Sequence, residues 1–279
     1  MPYQGSKRRL AGQILGVAGG RRFATLYEPF AGSAALTIAA AAERTADRYV
    51  IGDSLRPLVE IWRRVLTDGE RLAAEYETVW EGQLGEAGHF NRVRAEFNRD
   101  GGAARLLYLL ARCVKNAPRF GRDGFNQSPD HRRKGMRPAK MRRQIEGCRE
   151  LLGSRAVAVT GDALECLAGA GPDDLVYLDP PWQGTTEGPD SRYHQGFPRA
   201  RLEALLADLN GRSVPWILSY DGRSGPRTYG DPLPRHLWAA HLELHAGRSS
   251  QATLSGRDER TVESLYVGAA LGTNVNCGG

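Results

Sequence analysis

"FATLYEPFAGSAALTIAAAAERTADRYVIGD", residues 23–53, decides the fold. Phe23 to Tyr27 is a short apolar run suited to a strand. Gly32 then permits a tight turn, an alanine-rich stretch predicts a helix, and Arg48 to Asp53 reads as a second strand. Strand, glycine turn, helix, strand is a βαβ unit, which implies a parallel sheet with crossover helices. Working outward, apolar periodicity predicts an opening helix from about Ser6 to Val17 and another over Leu58 to Leu66. Past Thr67 the pattern changes. Helical stretches from Arg71 to Glu81, His89 to Asn98 and Ala103 to Lys115 lead into the loop "NAPRFGRDGFNQSPDHRRKGMRP" and a further basic helix, with no convincing strand among them. The alternation of strand and helix resumes with "RAVAVTGD", "DLVYLDPP", "VPWILSYD", "HLWAAHLEL" and "TVESLYVGA". The expected organisation is therefore one α/β sheet domain, residues 1–66 and 153–279, interrupted by a mainly helical insertion at residues 67–152.

The chain has 279 residues, 41% hydrophobic and 25% charged, which is ordinary for a globular protein able to bury a substantial core. Its longest apolar runs are too short to span a bilayer, and "MPYQGSKRRLAG" lacks the apolar centre of a signal peptide, so the expected location is the cytoplasm, without membrane association. Cys113, Cys148, Cys166 and Cys277 show no CxxC or metal-ligand spacing; reduced thiols, no disulfide framework and no metal are expected. Charge is unevenly placed. The net charge is +6, yet Arg112 to Arg143 alone carries 11 Lys/Arg against 2 Asp/Glu, a local +9 that leaves −3 for the remainder. A near-neutral body with one basic segment points to a localised polyanion contact.

Four carboxylates fall where predicted strands end. Three of these are read from the strand pattern, Asp53 closing the second strand, Asp162 in "VTGDALE" the third and Asp179 in "YLDPPW" the fourth; the other, Glu28, follows the first strand and takes its role only from the resemblance given below. In an open parallel sheet those ends form one crevice, the usual ligand site. Asp53 follows Gly32 by 21 residues, the interval from which a carboxylate reaches ribose hydroxyls, although Asp53 and Asp162 would serve equally as helix N-caps. After Asp179, consecutive prolines fix two φ angles and remove two N–H donors, leaving carbonyls free to accept from something else. An acid, a stiff carbonyl and the Trp182 ring together suit a flat molecule bearing an amino group.

"DPPW" after a strand, with "EPFAG" far upstream, "YQGSK" near the amino terminus and "RFGRDGFN" in the insertion, resembles the Dam-type DNA adenine N6 methyltransferases over most of the chain. The resemblance implies a Rossmann-like methyltransferase sheet with an inserted helical target-recognition domain, S-adenosyl-L-methionine as cofactor and double-stranded DNA as partner; a monomer is expected. It implies that Asp179 and the carbonyl of Pro180, stiffened by Pro181, accept from the adenine amino group, and that Trp182 stacks on the extruded base. Tyr3, Lys7, Glu28, Phe30, Gly32, Asp53, Asp162 and Asp179 would lie along the cofactor, with Lys7 closing over its carboxylate. Arg119, Arg122 and Asn126 would enter a groove while Arg132, Arg133 and Lys134 meet phosphates. The sequence departs from the family in reading "AGSAA" where "GGG" is usual, and in carrying tryptophan where tyrosine is more frequent.

Other stretches carry weaker expectations. Tyr193, His194 and Phe197 in "RYHQGFP" would fold over the base, "LSYDG" (residues 218–222) would line its pocket, and Arg248 and Ser249 would touch phosphate. Cytosine N4 methylation, RNA adenine methylation and a non-catalytic DNA-binding module stay open as rival readings.

Overall fold

The computed structural model describes residues 3, 5–116, 118–182, 197–224, 227–248 and 260–272. A 3₁₀ turn at Lys7–Arg9 precedes α1 (Ala11–Gly16), β1 (Phe23–Glu28), α2 (Ala35–Glu43), β2 (Ala46–Asp53) and α3 (Arg56–Thr67). Then come α4 (Gly69–Glu81), α5 (His89–Asp100), α6 (Ala103–Arg112), the short strands β3 (Phe120–Gly121) and β4 (Gly124–Phe125), and α7 (Pro138–Leu152). The chain continues through β5 (Ala156–Thr160), α8 (Ala163–Cys166), β6 (Leu175–Leu178), α9 (Arg199–Gly211), β7 (Trp216–Ser224), β8 (Arg227–Tyr229), β9 (Ala240–Arg248) and β10 (Arg260–Val267).

The sheet runs β5-β2-β1-β6-β7-β10-β9, with β8 beside β7. Its first five strands are mutually parallel, while β10 is antiparallel to both β7 and β9. β6 is buried along its length, Leu-Val-Tyr-Leu, as expected of a central parallel strand covered on both faces. The chain leaves β1 toward β2 and β5 on one side and returns through β6 and β7 on the other. Strand order therefore reverses between β1 and β6, and a crevice opens at their carboxyl ends.

One face is covered by α1, α2 and α3, whose apolar residues share a core with the helices that follow. Leu58, Ile61, Trp62 and Val65 of α3 pack in the same cluster as Leu72 and Tyr76 of α4, the α6 run Leu106–Leu110, and Met141 and Ile145 of α7. Each such fully buried side chain contributes roughly 1.5–3 kcal/mol. The other face is covered by α8 and α9, with Leu202, Leu205, Leu206 and Leu209 against Val176, Leu178, Trp216 and Leu218. Among the described residues, no helix is long and apolar enough to cross a membrane.

Three expectations need correction. The opening helix is broken at Leu10 into a 3₁₀ turn and a short α1, and the break leaves Lys7 buried. The insertion does contain strands: β3 and β4 pair Phe120 with Phe125 across the Arg122-Asp123 tip, too short a pairing for a period-two pattern to register. The last hairpin begins at Ala240, so the "HLW" before it lies outside the strand.

Candidate active site

Glu28 stands at the end of β1 and Asp179 directly after β6, side by side across the reversal point. Glu28 is buried, and its Oε2 accepts hydrogen bonds from the Thr37 backbone N–H at 2.9 Å and the Thr37 hydroxyl at 2.5 Å. Burial, opposed by those two bonds and aided by the nearby Asp179 charge, pushes its carboxyl up to about 7. Asp179 is likewise pushed up by burial, to about 6, against the pull of Lys7. The Lys7 ammonium lies 2.9 Å from Asp179 Oδ1 and 3.4 Å from Glu263 Oε2 on β10. Beneath them the Tyr177 and Ser219 hydroxyls, both buried, share a hydrogen bond at 2.9 Å.

Pro180 is buried and Pro181 and Trp182 are half-buried. The Trp182 ring edge lies over Gly222: a β-carbon on that glycine would collide with the Val262 carbonyl oxygen and sit 3.2 Å from the Trp182 ring. "LSYDG" is thus placed beside the DPPW segment, as expected, and its glycine is required chiefly by the close approach of the β10 backbone at Val262.

The turn after β1 is held from several directions. Gly32 has φ +48°, and the Tyr3 ring covers it so closely that a β-carbon there would lie 3.0 Å from Tyr3 Cε1. The Gly32 N–H donates to Asp53 Oδ2 at 3.1 Å, its carbonyl accepts from Trp62 Nε1 at 3.0 Å, and Asp53 Oδ1 accepts from the Leu55 N–H at 2.9 Å. Asp53 therefore ties the turn to the start of α3. Asp162 caps α8 in a reciprocal pair with Glu165 and accepts from Arg201 at 2.9 Å, contacts that hold its carboxyl below the usual range. Phe30 meets Phe197 edge-to-face at 5.1 Å, and Arg201 lies over Phe197. Tyr193, His194 and Ser249 lie outside the described residues, as does the side chain of Arg248.

The basic segment divides. Arg122 is exposed at the tip of the β3–β4 hairpin. Phe120, Phe125 and Phe97 form a cluster of edge-to-face rings beneath it, and Asn98 of α5 fixes β4 through both backbone groups of Phe125, donating to its carbonyl at 3.0 Å and accepting from its N–H at 2.8 Å. Asn126 is exposed and its backbone N–H donates to the Arg119 carbonyl. Arg132 and Arg133, expected at phosphates, both donate to the buried carboxylate of Asp130, at 2.9 Å and 3.0 Å. Arg133 also donates to the Cys113 carbonyl, which ties the loop to the residue that follows α6. Lys134, Arg137 and Lys140 are exposed and have no carboxylate partner among the described residues.

Sequence reasoning missed Glu263, Tyr177, Asn98 and Asp130, and gave Ser219 no part beyond its place in "LSYDG". Glu263 left a trace, a lone acid inside the apolar strand "TVESLYV"; the others look unremarkable until the fold brings their partners to them. Lys7, expected over a cofactor carboxylate, forms ion pairs with Asp179 and Glu263. Among the described residues, no group of three His, Cys, Asp or Glu side chains is placed to hold a metal ion.

The family model described as D12 class N6 adenine-specific DNA methyltransferase matches residues 3–246. The chain is also 26% identical over 243 residues to the retron Ec67 DNA adenine methylase of Escherichia coli, an alignment that covers 82% of this chain and 80% of that protein.

Proposed function

The chain belongs to the D12 class of N6 adenine-specific DNA methyltransferases and is a DNA adenine methyltransferase; from that premise we propose that its methyl donor is S-adenosylmethionine and that Asp179, Pro180 and Trp182 hold an adenine swung out of double-stranded DNA. The observation that carries the proposal is the position of Asp179, an acid at the end of a fully buried strand, at the point where strand order reverses.

The residues around the crevice fit the donor. A ribose needs acceptors for its hydroxyls, and the Asp53 carboxylate, already accepting from two backbone N–H groups, offers roughly four lone-pair sites in all. Glu28 and Asp179 suit the neighbourhood of a cation. Gly32 keeps the turn free of a β-carbon where the Tyr3 ring folds over it. Phe30 and Asp162, through their contacts with Phe197 and Arg201, build one wall of the same crevice. When bound, the sulfonium donor supplies an electrophilic methyl group.

The chain's own work is orientation. An exocyclic amine is a weak nucleophile whose lone pair is delocalised into its ring. Asp179 and the Pro180 carbonyl, by accepting its two N–H bonds, turn the lone pair out of the ring plane toward the methyl, so that in-line displacement depends on positioning more than on a strong base. The Trp182 face fixes the base plane, a stacking contact worth roughly 1–3 kcal/mol. Forming the new C–N bond would require the methyl–sulfur bond of the donor to break with its electron pair kept by sulfur; the nitrogen becomes cationic, and the ionised Asp179 stabilises that charge and receives the proton the nitrogen then loses. Flipping takes the amine out of the base stack, where no side chain could surround it.

The insertion supplies the grip on DNA. The Arg122 tip has the shape to enter a groove and read a base edge, while Lys134, Arg137 and Lys140 face outward toward phosphates. Asp179→Ala, assayed with tritiated donor on duplex DNA, is expected to abolish methyl transfer while leaving donor affinity within about tenfold, since the missing carboxylate is the one that holds the acceptor. Retention of most wild-type turnover would overturn the assignment.

A further inference from the structure

Three distant parts of the chain bring one cation and two carboxylates together: Lys7 from the amino-terminal segment, Asp179 from the end of β6 and Glu263 from β10. Lys7 is only 8% exposed and Glu263 14%. The Glu263 Oε2 is buried and accepts no hydrogen bond among the described residues, although Lys7 Nζ stands 3.4 Å away. Glu263 is paired in register with Gly222, the glycine under Trp182, which places it behind the base pocket.

This arrangement meets a difficulty in the reaction. The amine must donate to the same carboxylate that an ammonium occupies at 2.9 Å, and a charge-assisted hydrogen bond of that kind is a strong competitor. A lysine left on Asp179 would also cancel the negative charge that the developing cation needs. A second acceptor for the ammonium, already within about half an ångström of bonding distance, removes both obstacles.

We propose that Glu263 is a positioning residue which takes up the Lys7 ammonium when the acceptor amine arrives, leaving Asp179 ionised and open to it. The inference rests on the reading of Asp179 as the group that holds the amine. Lys7 remains paired throughout, so no buried cation is stranded, and the cluster keeps one net negative charge facing the nitrogen that becomes cationic. Glu263 itself touches neither base nor donor; it acts through Lys7.

The charged and titratable groups facing Asp179 are Lys7, Glu28 from β1, Tyr177 from β6 and Glu263 from β10. Removing the Glu263 charge lets Lys7 settle wholly on Asp179, and both changes favour the ionised carboxylate. The test is Glu263→Gln in the full chain, with turnover on duplex DNA measured across pH and S-adenosylmethionine affinity measured by calorimetry. Turnover at neutral pH is expected to fall by about tenfold, as for the loss of one such interaction. Donor affinity should stay within about twofold, and the acid limb of the turnover profile should move to lower pH. A variant that is slower yet has a more acidic limb is not what simple damage to the pocket produces. Unchanged turnover and an unmoved limb would overturn the role of Glu263 while leaving that of Asp179 intact. An active Asp179→Ala would remove the reading beneath it. Should the Gln variant fail to fold, Glu263→Asp keeps the charge but withdraws it by about one bond length. Slower turnover with the limb near its wild-type position supports the inference, and wild-type turnover overturns it.

Discussion

At Glu28 and Asp179, burial disfavours the charged form in the same crevice where the proposed reaction needs negative charge. Glu28 is pushed from 4.5 to about 7 and Asp179 from 3.8 to about 6, burial being the largest cause in each. Both shifts are upward, so the folded chain binds these protons more tightly than the unfolded one. The stabilisation they give is fully present below about pH 4 and is lost as pH rises through 6 to 7. For Glu28 a displacement of this size corresponds to something on the order of 3 kcal/mol. Glu28→Gln, whose amide oxygen can still accept from Thr37, should therefore flatten the fall in melting temperature between pH 5 and 8. Calorimetric melts of both proteins across that range check it, and parallel curves would mean that Glu28 is not the source. Ionised carboxylates kept at the end of a buried strand cost stability that the site requires for function.

The β3–β4 hairpin shows how an element too short to stand alone is fixed by its neighbours. Two residues per strand cannot hold a register; Asn98 supplies what the ladder lacks by engaging both backbone groups of Phe125, and three phenylalanine rings fill the space below. Gly124, with φ +100°, is required because a β-carbon there would lie 2.6 Å from Asn98 Oδ1. Asn98→Ala removes two hydrogen bonds at a cost of about 1–3 kcal/mol, borne locally by the hairpin. The expected result is loss of preference between cognate and scrambled duplexes, with affinity for scrambled DNA and for S-adenosylmethionine nearly unchanged. Competition binding on the two duplexes is the measurement. Equal weakening on both would show that the hairpin grips DNA without reading it.

Across the whole molecule, the basic segment serves two separate ends. Asp130, held well below the usual carboxylate range chiefly by the Arg132 hydrogen bond, keeps Arg132 and Arg133 for folding the loop; the stability it contributes is lost only as pH falls beneath that range. Lys134, Arg137 and Lys140 are exposed, and in the proposed function they meet phosphates. Changing those three to glutamine should weaken binding to all sequences alike and lower the slope of log affinity against log salt by up to about 0.9 for each phosphate no longer neutralised. Changing Arg132 and Arg133 should instead lower the melting temperature with a smaller effect on that slope. Salt titrations and thermal melts of the two variants decide the matter, and a larger slope change in the second would return those arginines to the phosphates.

Local pattern alone determined the alternation of strand and helix, the run of helices after Thr67, and the acids at strand ends. Each depends on residues within a few positions of one another: period, turn glycine, and where an apolar run stops. Motif order then carried the reaction, because DPPW after a strand joins an acid, a stiff carbonyl and a ring in four consecutive residues. Only the tertiary structure decided which carboxylates share a cation. Lys7 and Glu263 are separated by nearly the whole chain, and neither residue has a neighbour in sequence that marks it for Asp179. The same is true of Asp130, whose pairing with Arg132 and Arg133 no local pattern announces, and of Asn98, whose amide means nothing until Phe125 is brought against it. Local sequence specifies backbone conformation through short-range sterics and periodic burial, whereas the partner of a charge is set by where the folded chain places it.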